Sequence, residues 1–295
     1  MKYIISRINR LGTRNSNQDR FGAEEREEAV LMVLADGMGG YRGGDLAAET
    51  AVQKMIDYFR MTKQPVMEPK IFFENAVAFA HKAVLDCGAR HNPRLNPRTT
   101  LVACLIQEES LWSAHIGDSR CYLFRNGDPL YRTRDHSMVE ELLRLGRVTP
   151  EEMKTHPNLN QVTRCVGGLN DVPNVEVSGR HALEANDVIL LCSDGLWTAL
   201  EDTAIGDTLL EYKKLPEALN TLAGRAESLS YPKSDNISIM AMRWISNEHQ
   251  NSLPAEEHTV TPLPEQQKVI EAIDEIDEAI KKINLDIKPT AAKGS

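Results

Sequence analysis

The sequence predicts an α+β fold in which a β-sandwich is flanked by paired helices. Three observations carry that prediction. Short, strongly apolar runs cluster along the chain, at 30–35, 100–107, 111–117, 187–193 and 236–244. Amphipathic helical stripes come in pairs, at 45–59 with 70–88 and again within 201–229. Strands and helices therefore do not alternate one for one, as a parallel doubly wound sheet would require.

Each element has its own signal. Segment 30–35 (VLMVLA) is a continuous apolar run ending at Asp36-Gly37, the pattern of a buried strand followed by a turn. Residues 45–59 place Ala47, Ala48, Ala51, Val52, Met55, Ile56 and Phe59 on one helical stripe. A second stripe runs from Ile71 and Phe72 through Ala76, Phe79, Ala80, Ala83 and Val84 to Cys87. Strands follow at 100–107, 111–117 and 120–125, and Asn126-Gly127 signals a hairpin before another strand from Pro129. Residues 138–160 read as helical and then irregular. Segment 187–193 (DVILLCS) is a further buried strand ending at Asp194-Gly195. Two helices fill 201–229, and 236–244 (NISIMAMRW) closes the set as a strand.

The composition changes after residue 245. Residues 1–245 form one domain, and 246–265, polar and carrying Pro254, Pro262 and Pro264, read as a linker. In 266–288 the apolar residues Val269, Ile273, Ile276, Ile280, Ile283 and Ile287 are spaced 4, 3, 4, 3, 4, a heptad seam on a charged helix. That helix either packs back on its own domain or serves as a docking or self-association element, and a disordered tail is the third reading. Residues 289–295 form the tail end.

The chain has 295 residues, 41% hydrophobic and 26% charged, enough to bury a sizeable core and stay soluble. Its net charge of −9 argues against a nucleic-acid or anionic-membrane binder, whose affinity rests on basic patches. The five cysteines (Cys87, Cys104, Cys121, Cys165 and Cys192) are odd in number and show no C-x-x-C spacing. They read as small buried hydrophobes in a reducing compartment. The N-terminus, MKYIISRINRLGTRN, does not read as a signal peptide, and no apolar run reaches the ~18 residues of a membrane span. A cytoplasmic location is expected.

Four short segments place an acidic residue where a fold has no need of one: 14–20 (RNSNQDR), 36–40 (DGMGG), 192–195 (CSDG) and 234–237 (SDNI). Asp-Gly alone is a common turn dipeptide. The context changes its meaning, because Asp36 and Asp194 end apolar strands and Asp235 immediately precedes one. Carboxylates gathered at buried strand ends repel one another at low dielectric. A divalent cation removes that conflict, and an all-oxygen ligand set selects Mg²⁺ or Mn²⁺. Other phosphate chemistries lack their residues: no cysteine is followed six positions later by arginine, and no G-x-x-x-x-G-K-[ST], H-R-D or H-E-x-x-H motif occurs. The glycine run 37–44 (GMGGYRGG) reads as tight backbone geometry around Gly37. His136 is at least as readily a buried structural histidine as a proton donor.

RNSNQDR, DGMGG, AHIGDSR (114–120), TRDHS (133–137), VTRCVG (162–167), LLCSDGLW (190–197) and SDNIS (234–238) occur in the order and spacing of the metal-dependent type 2C protein Ser/Thr phosphatases. The chain resembles that family, in its bacterial form, over residues 3–245. The resemblance implies a four-layer αββα sandwich with two Mn²⁺ or Mg²⁺ ions in a cleft at one end. By position, Asp36 would bridge both metals, Gly37 would offer its carbonyl, and Asp194 and Asp235 would complete one shell. Asp19 would act directly or through a coordinated water. Arg14 would bind the substrate phosphate, and Asp118 would belong to a third, weaker metal site. The implied reaction is hydrolysis of phosphoserine and phosphothreonine in protein substrates, those of a Ser/Thr kinase, by a two-metal-activated water.

Three positions depart from the family pattern. Gln18 stands where many members carry Glu, and a neutral amide still hydrogen-bonds but adds no charge. Met38 stands where eukaryotic members carry a histidine proposed as general acid. Thr198 replaces a carboxylate that helps hold the third metal. The alternative function is a catalytically weak phosphatase fold that works as a binding or adaptor protein through its C-terminal helix.

Overall fold

The computed structural model describes residues 1–38, 43–168 and 171–246. In chain order these form β1 (Lys2–Arg10), β2 (Asp19–Arg26), β3 (Ala29–Asp36), α1 (Gly44–Met61), α2 (Pro69–Ala89), β4 (Arg98–Thr99), β5 (Leu101–Gln107), β6 (Ser110–Ile116), β7 (Arg120–Arg125) and β8 (Asp128–Arg132). There follow α3 (Met138–Arg144), α4 (Pro150–Lys154), β9 (Val166–Gly167), β10 (Glu176–Val177), β11 (His181–Ala182), β12 (Val188–Cys192), α5 (Asp194–Trp197), α6 (Asp202–Glu211), α7 (Leu215–Ser230) and β13 (Ile237–Ser246). The proposed linker 246–265 and helix 266–288 lie outside the described residues, apart from the backbone of Ser246.

One sheet has the order β1-β13-β12-β7-β8 and the other β10-β6-β5-β3-β2, with β11 also on β6 and a separate β4-β9 pair. Every ladder is antiparallel. Helices α1 and α2 cover the outer face of the second sheet, and α6 and α7 cover the first. The sandwich is the four-layer αββα arrangement.

The side-chain alternation of a strand explains the apolar run 30–35. Val30, Met32 and Leu34 point between the sheets and share a core with Ile189, Leu191, Met240 and Met242. Leu31, Val33 and Ala35 point the other way, into the core that α1 and α2 complete with Ala51, Met55 and Phe73. Both faces of β3 are buried, so the strand carries no polar alternation. Asn126 and Gly127 both take positive φ, 52° and 87°, as a two-residue hairpin turn requires.

Six strands lie outside the expected set: the two-residue strands β4, β9, β10 and β11, and the longer β1 and β2. Strand β1 (KYIISRINR) mixes polar and apolar residues without regular alternation and lies at the edge of its sheet, paired among the described residues only with β13. Strand β2 (DRFGAEER) is likewise an edge strand, half polar and interrupted by a glycine. The Asp194-Gly195 step is also more than a turn, since it opens the short helix α5. Cys104, Cys121 and Cys192 are buried and all five cysteines are free. Among the described residues, no helix is long and apolar enough to cross a membrane.

One buried ion pair ties the motif segments together. Arg120 lies 5% exposed and donates from Nε to Asp135 Oδ1 (2.8 Å) and from Nη2 to Asp135 Oδ2 (2.7 Å). Its Nη1 donates to the Tyr122 hydroxyl (3.1 Å), which in turn donates to Asp202 Oδ1 (2.9 Å). The guanidinium lies 3.7 Å from the Trp197 ring centroid. The Arg of GDSR and the Trp of SDGLW are therefore frame, not chemistry. Asp135→Asn removes the bidentate counter-charge of this buried guanidinium, leaving only the longer 3.8 Å approach to Asp202, and should cost about 3–5 kcal/mol in urea unfolding. The double variant Arg120→Met with Asp135→Leu should recover most of that loss.

Candidate active site

Five carboxylates meet at one end of the sandwich because strands of both sheets begin or end there. Antiparallel register sets Asp19, the first residue of β2, directly opposite Asp36, the last of β3. Like charges opposite one another in a ladder destabilise it. In the first sheet, β12 ends at Cys192 two residues before Asp194, and β13 starts at Ile237 two residues after Asp235. Cys192 pairs with Ile239, which brings those two termini together. Asp118 sits in the turn that carries β6 of one sheet into β7 of the other.

The cleft between them has a volume of 520 Å³, and its lining includes Asp36, Asp118, Asp194, Asp235, Gly37, Gln18, Met38 and Arg14. Burial is the largest influence on four of the carboxyls. It raises Asp36 well above the ordinary carboxylate range, and Asp19, Asp194, Asp118 and Asp235 raise it further by repulsion. Asp194 is raised well above that range by burial and then by Asp118, Asp235 and Asp19. Asp118, 3% exposed, is pushed up to about 7 by burial and then by Asp135. Asp19 is raised by burial, although a hydrogen bond from Ser193 favours its charged form.

The backbone around the cluster is closely fitted. A Cβ on Gly37 would collide with the Gly44 carbonyl at the start of α1, so only glycine lets that helix approach. The Asp36 N–H donates to Thr100 Oγ1 (3.0 Å), and its carbonyl accepts from Thr100 N–H (2.8 Å) and Thr99 Oγ1 (2.8 Å). Ser193 Oγ donates to Asp19 Oδ2 (2.7 Å) and accepts from Ser238 N–H (3.0 Å). Asn236 donates to the Leu11 (2.9 Å) and Ser16 (3.2 Å) carbonyls and accepts from Gln18 N–H (2.9 Å), clamping the 11–18 loop over the site. Sequence reasoning had not singled out Ser193, Thr100 or Asn236. Their signal was position alone, beside acidic residues at strand ends.

Other expected residues fall where their chemistry can be judged. Arg14 is 58% exposed in its side chain and its Nη2 donates to Asp235 Oδ2 at 2.6 Å, at the mouth of the cleft. His136 is tied to the Asp118 turn instead of the cleft. Its N–H donates to the Gly117 carbonyl (2.9 Å), and its Nδ1 accepts from Gly117 N–H (3.3 Å). It stacks on His115 at 4.5 Å, and burial followed by His115 lowers its pKa to about 4. Thr198 donates its hydroxyl proton to the Asp194 carbonyl (2.7 Å) and lines a neighbouring groove, not the cleft.

The fit to hard divalent cations rests on these residues. Asp19 Oδ1 is buried with no hydrogen-bond partner, although Asp19 is only 1% exposed. Such an orphaned carboxylate oxygen is costly unless something electropositive meets it. Among the described residues, the cleft lining offers oxygen ligands and neither imidazole nor thiol. That donor set suits Mg²⁺ or Mn²⁺.

Comparison with known proteins agrees with this geometry. Residues 10–227 match the family model of protein phosphatase 2C. The serine/threonine phosphatase stp of Listeria welshimeri is 31% identical over 239 residues, which cover 79% of this chain and 92% of that protein. Among solved structures, the S. agalactiae serine/threonine phosphatase superposes with a TM-score of 0.75 at 28% identity, covering 83% of this chain and all of that one. The catalytic domain of the serine/threonine protein phosphatase PstP in complex with two manganese ions superposes with a TM-score of 0.69 at 28% identity, covering 83% of this chain and 99% of that one.

The raised carboxyl pKa values fix the sign of a pH effect. In the metal-free chain, a carboxyl such as Asp118 binds its proton more tightly folded than unfolded. Its contribution is fully present below the ordinary value of about 4 and is lost as the pH rises through about 7. In excess chelator the melting temperature should fall between about pH 5 and 7.5. Asp118→Asn should flatten that fall. A melting temperature that rises across this window in chelator would contradict the reading.

Proposed function

We infer how this cleft works from one premise: the chain belongs to the protein phosphatase 2C family. It is a metal-dependent protein serine/threonine phosphatase that uses Mn²⁺ or Mg²⁺ and acts on phosphoproteins. The observation that carries this reading in the structure is the gathering of four half-buried or buried carboxylates around one cleft, with a fifth beneath it.

Asp36, the Gly37 carbonyl, Asp194 and Asp235 would hold two divalent ions, with Asp19 beside them and Asp118 available to a weaker third. When bound, such ions supply Lewis acidity and lower the pKa of water enough to provide hydroxide near neutral pH. The protein's own part is to fix the donors before substrate arrives. Ladder register fixes Asp19 and Asp36, and the Thr99, Thr100 and Ser193 hydroxyls hold them in place. Arg14, exposed at the mouth, would present a planar fork to two phosphate oxygens and balance charge as phosphorus is attacked. Its pairing with Asp235 holds the guanidinium at the edge of the cleft. Met38 lines the cleft with no proton to give, so the serine or threonine oxygen that leaves phosphorus would take its proton from water. Asp118 is the only expected third-site ligand in the lining, since the Thr198 hydroxyl is bonded to its own helix. That supports two tight ions and one weak one.

The remaining partner readings go further than the family does. The substrates would be proteins phosphorylated by a Ser/Thr kinase. The acidic balance supports no role for nucleic acid or membrane. Five free cysteines suit the reducing cytoplasm. The heptad seam of 266–288 supports a docking or self-association role separate from catalysis.

One set of assays tests these assignments. Wild type should hydrolyse phosphoserine and phosphothreonine peptides with Mn²⁺ and lose activity in chelator. Asp36→Asn and Asp194→Asn should be inactive yet folded. Arg14→Ala should mainly raise KM, by about 1.5–3 kcal/mol in kcat/KM. Removal of 246–295 should spare hydrolysis of a small aryl phosphate while changing oligomeric state or partner capture. Full activity in chelator, or an active Asp36→Asn, would end the two-metal reading.

A further inference from the structure

Beside the cleft runs a second depression, of 390 Å³, between the α3–α4 segment and the start of α6. Its apolar wall is made by Leu143, Pro150, Met153, Leu159, Trp197 and Leu200. Leu143, Met153 and Leu159 are half-exposed and belong to none of the three cores of the sandwich. They are apolar side chains outside those cores and partly open to water.

The charged groups in the same groove are already matched within the protein. Arg120 is held by Asp135, Arg132 lies 3.4 Å from Asp202, and Glu140 lies 3.4 Å from Arg134. A charged guest would have to compete with those pairs. An apolar guest would not, and it would cover surface that now faces water.

The groove and the cleft share a wall. Leu159 lines the groove and the next residue, Asn160, lines the cleft. On the other side, Asp194 lines the cleft, while Trp197 and Thr198, within one turn of α5 and its cap, line the groove. One helical turn rises about 5 Å, and an extended peptide advances about 3.3 Å per residue. A peptide with its phosphate in the cleft therefore reaches the groove within two to four residues.

We propose that this groove selects substrates: it receives an apolar side chain two to four residues from the phosphoresidue of the phosphoprotein. The proposal rests on the phosphatase reading and names what that same site prefers. An apolar pocket of this kind discriminates by about tenfold or more between guests that fill it and guests that do not.

The test uses two phosphothreonine peptides that differ only in carrying Leu or Asp at the flanking positions two to four residues away on both sides. A small aryl phosphate serves as the control, and all assays contain Mn²⁺. Wild type should favour the Leu peptide by about tenfold in kcat/KM, expressed in KM. Met153→Asp and Leu143→Asp should bring the two peptides close to parity while leaving hydrolysis of the aryl phosphate within about twofold. Met153 lies on the short helix α4, outside every core, so its variant keeps the test sound if Leu143→Asp fails to fold. Equal hydrolysis of both peptides by wild type, or an undiminished preference in folded Met153→Asp, would overturn the groove's role and leave the phosphatase reading standing. Failure to hydrolyse either peptide or the aryl phosphate would overturn the phosphatase reading itself.

Discussion

Repulsion among carboxylates organises this molecule. Asp19, Asp36, Asp118 and Asp194 are each raised in pKa by burial and by one another or by nearby acids, and Asp235 adds to the field on three of them. No chain would collapse into that arrangement for the sake of its stability. The cluster exists because the rest of the sandwich imposes it, and the stored conflict is what a divalent cation relieves on binding. Asp19 shows this most plainly, with one oxygen held by Ser193 and the other buried and unmet.

The imposition is mechanical. Two antiparallel sheets, each sealed by a helix pair, form three apolar cores that fix where strands end. A one-residue slip of β2 against β3 would turn every side chain of β2 to the other face, so the core that locks the register also locks Asp19 opposite Asp36. The loop over the site is pinned as tightly. Gly12 takes φ +61° against the Asp235 carbonyl, where a Cβ would have no room, and Asn236 ties the same loop from below. The Arg120–Asp135 pair and the Trp197 ring brace the start of β7, just after the Asp118 turn, and the helix α5 that Asp194 opens. Groups that look catalytic in the sequence thus divide into those that hold charge and those that hold the holders.

Legibility in the sequence followed burial. The strands β3, β12 and β13 have both faces covered and so wrote themselves as apolar runs, and their acidic neighbours Asp36, Asp194 and Asp235 stood out against them. The edge strands β1 and β2 left little trace, because one side of each is exposed and β2 carries four charged residues besides its opening Asp19. Asp19 was therefore found by motif and not by its strand. Ser193 and Asn236 lie inside the CSDG and SDNI segments and Thr100 at a strand start, yet their roles needed coordinates, because their hydrogen bonds join segments far apart in the chain. The role of His136 needed coordinates: its ring and backbone both bind the Gly117 turn, so it shapes the Asp118 loop without facing the cleft.

The central claim is that a preformed, mutually repelling carboxylate cluster binds divalent cations. Titration calorimetry of the metal-free chain with Mn²⁺, near pH 6.5 and in two buffers of different ionisation enthalpy, tests it most directly. The account predicts two saturable sites with protons released on binding, because the cluster holds protons that the metal displaces, and loss of both features in Asp36→Asn. Absence of saturable binding, or binding that Asp36→Asn leaves unchanged, would contradict it.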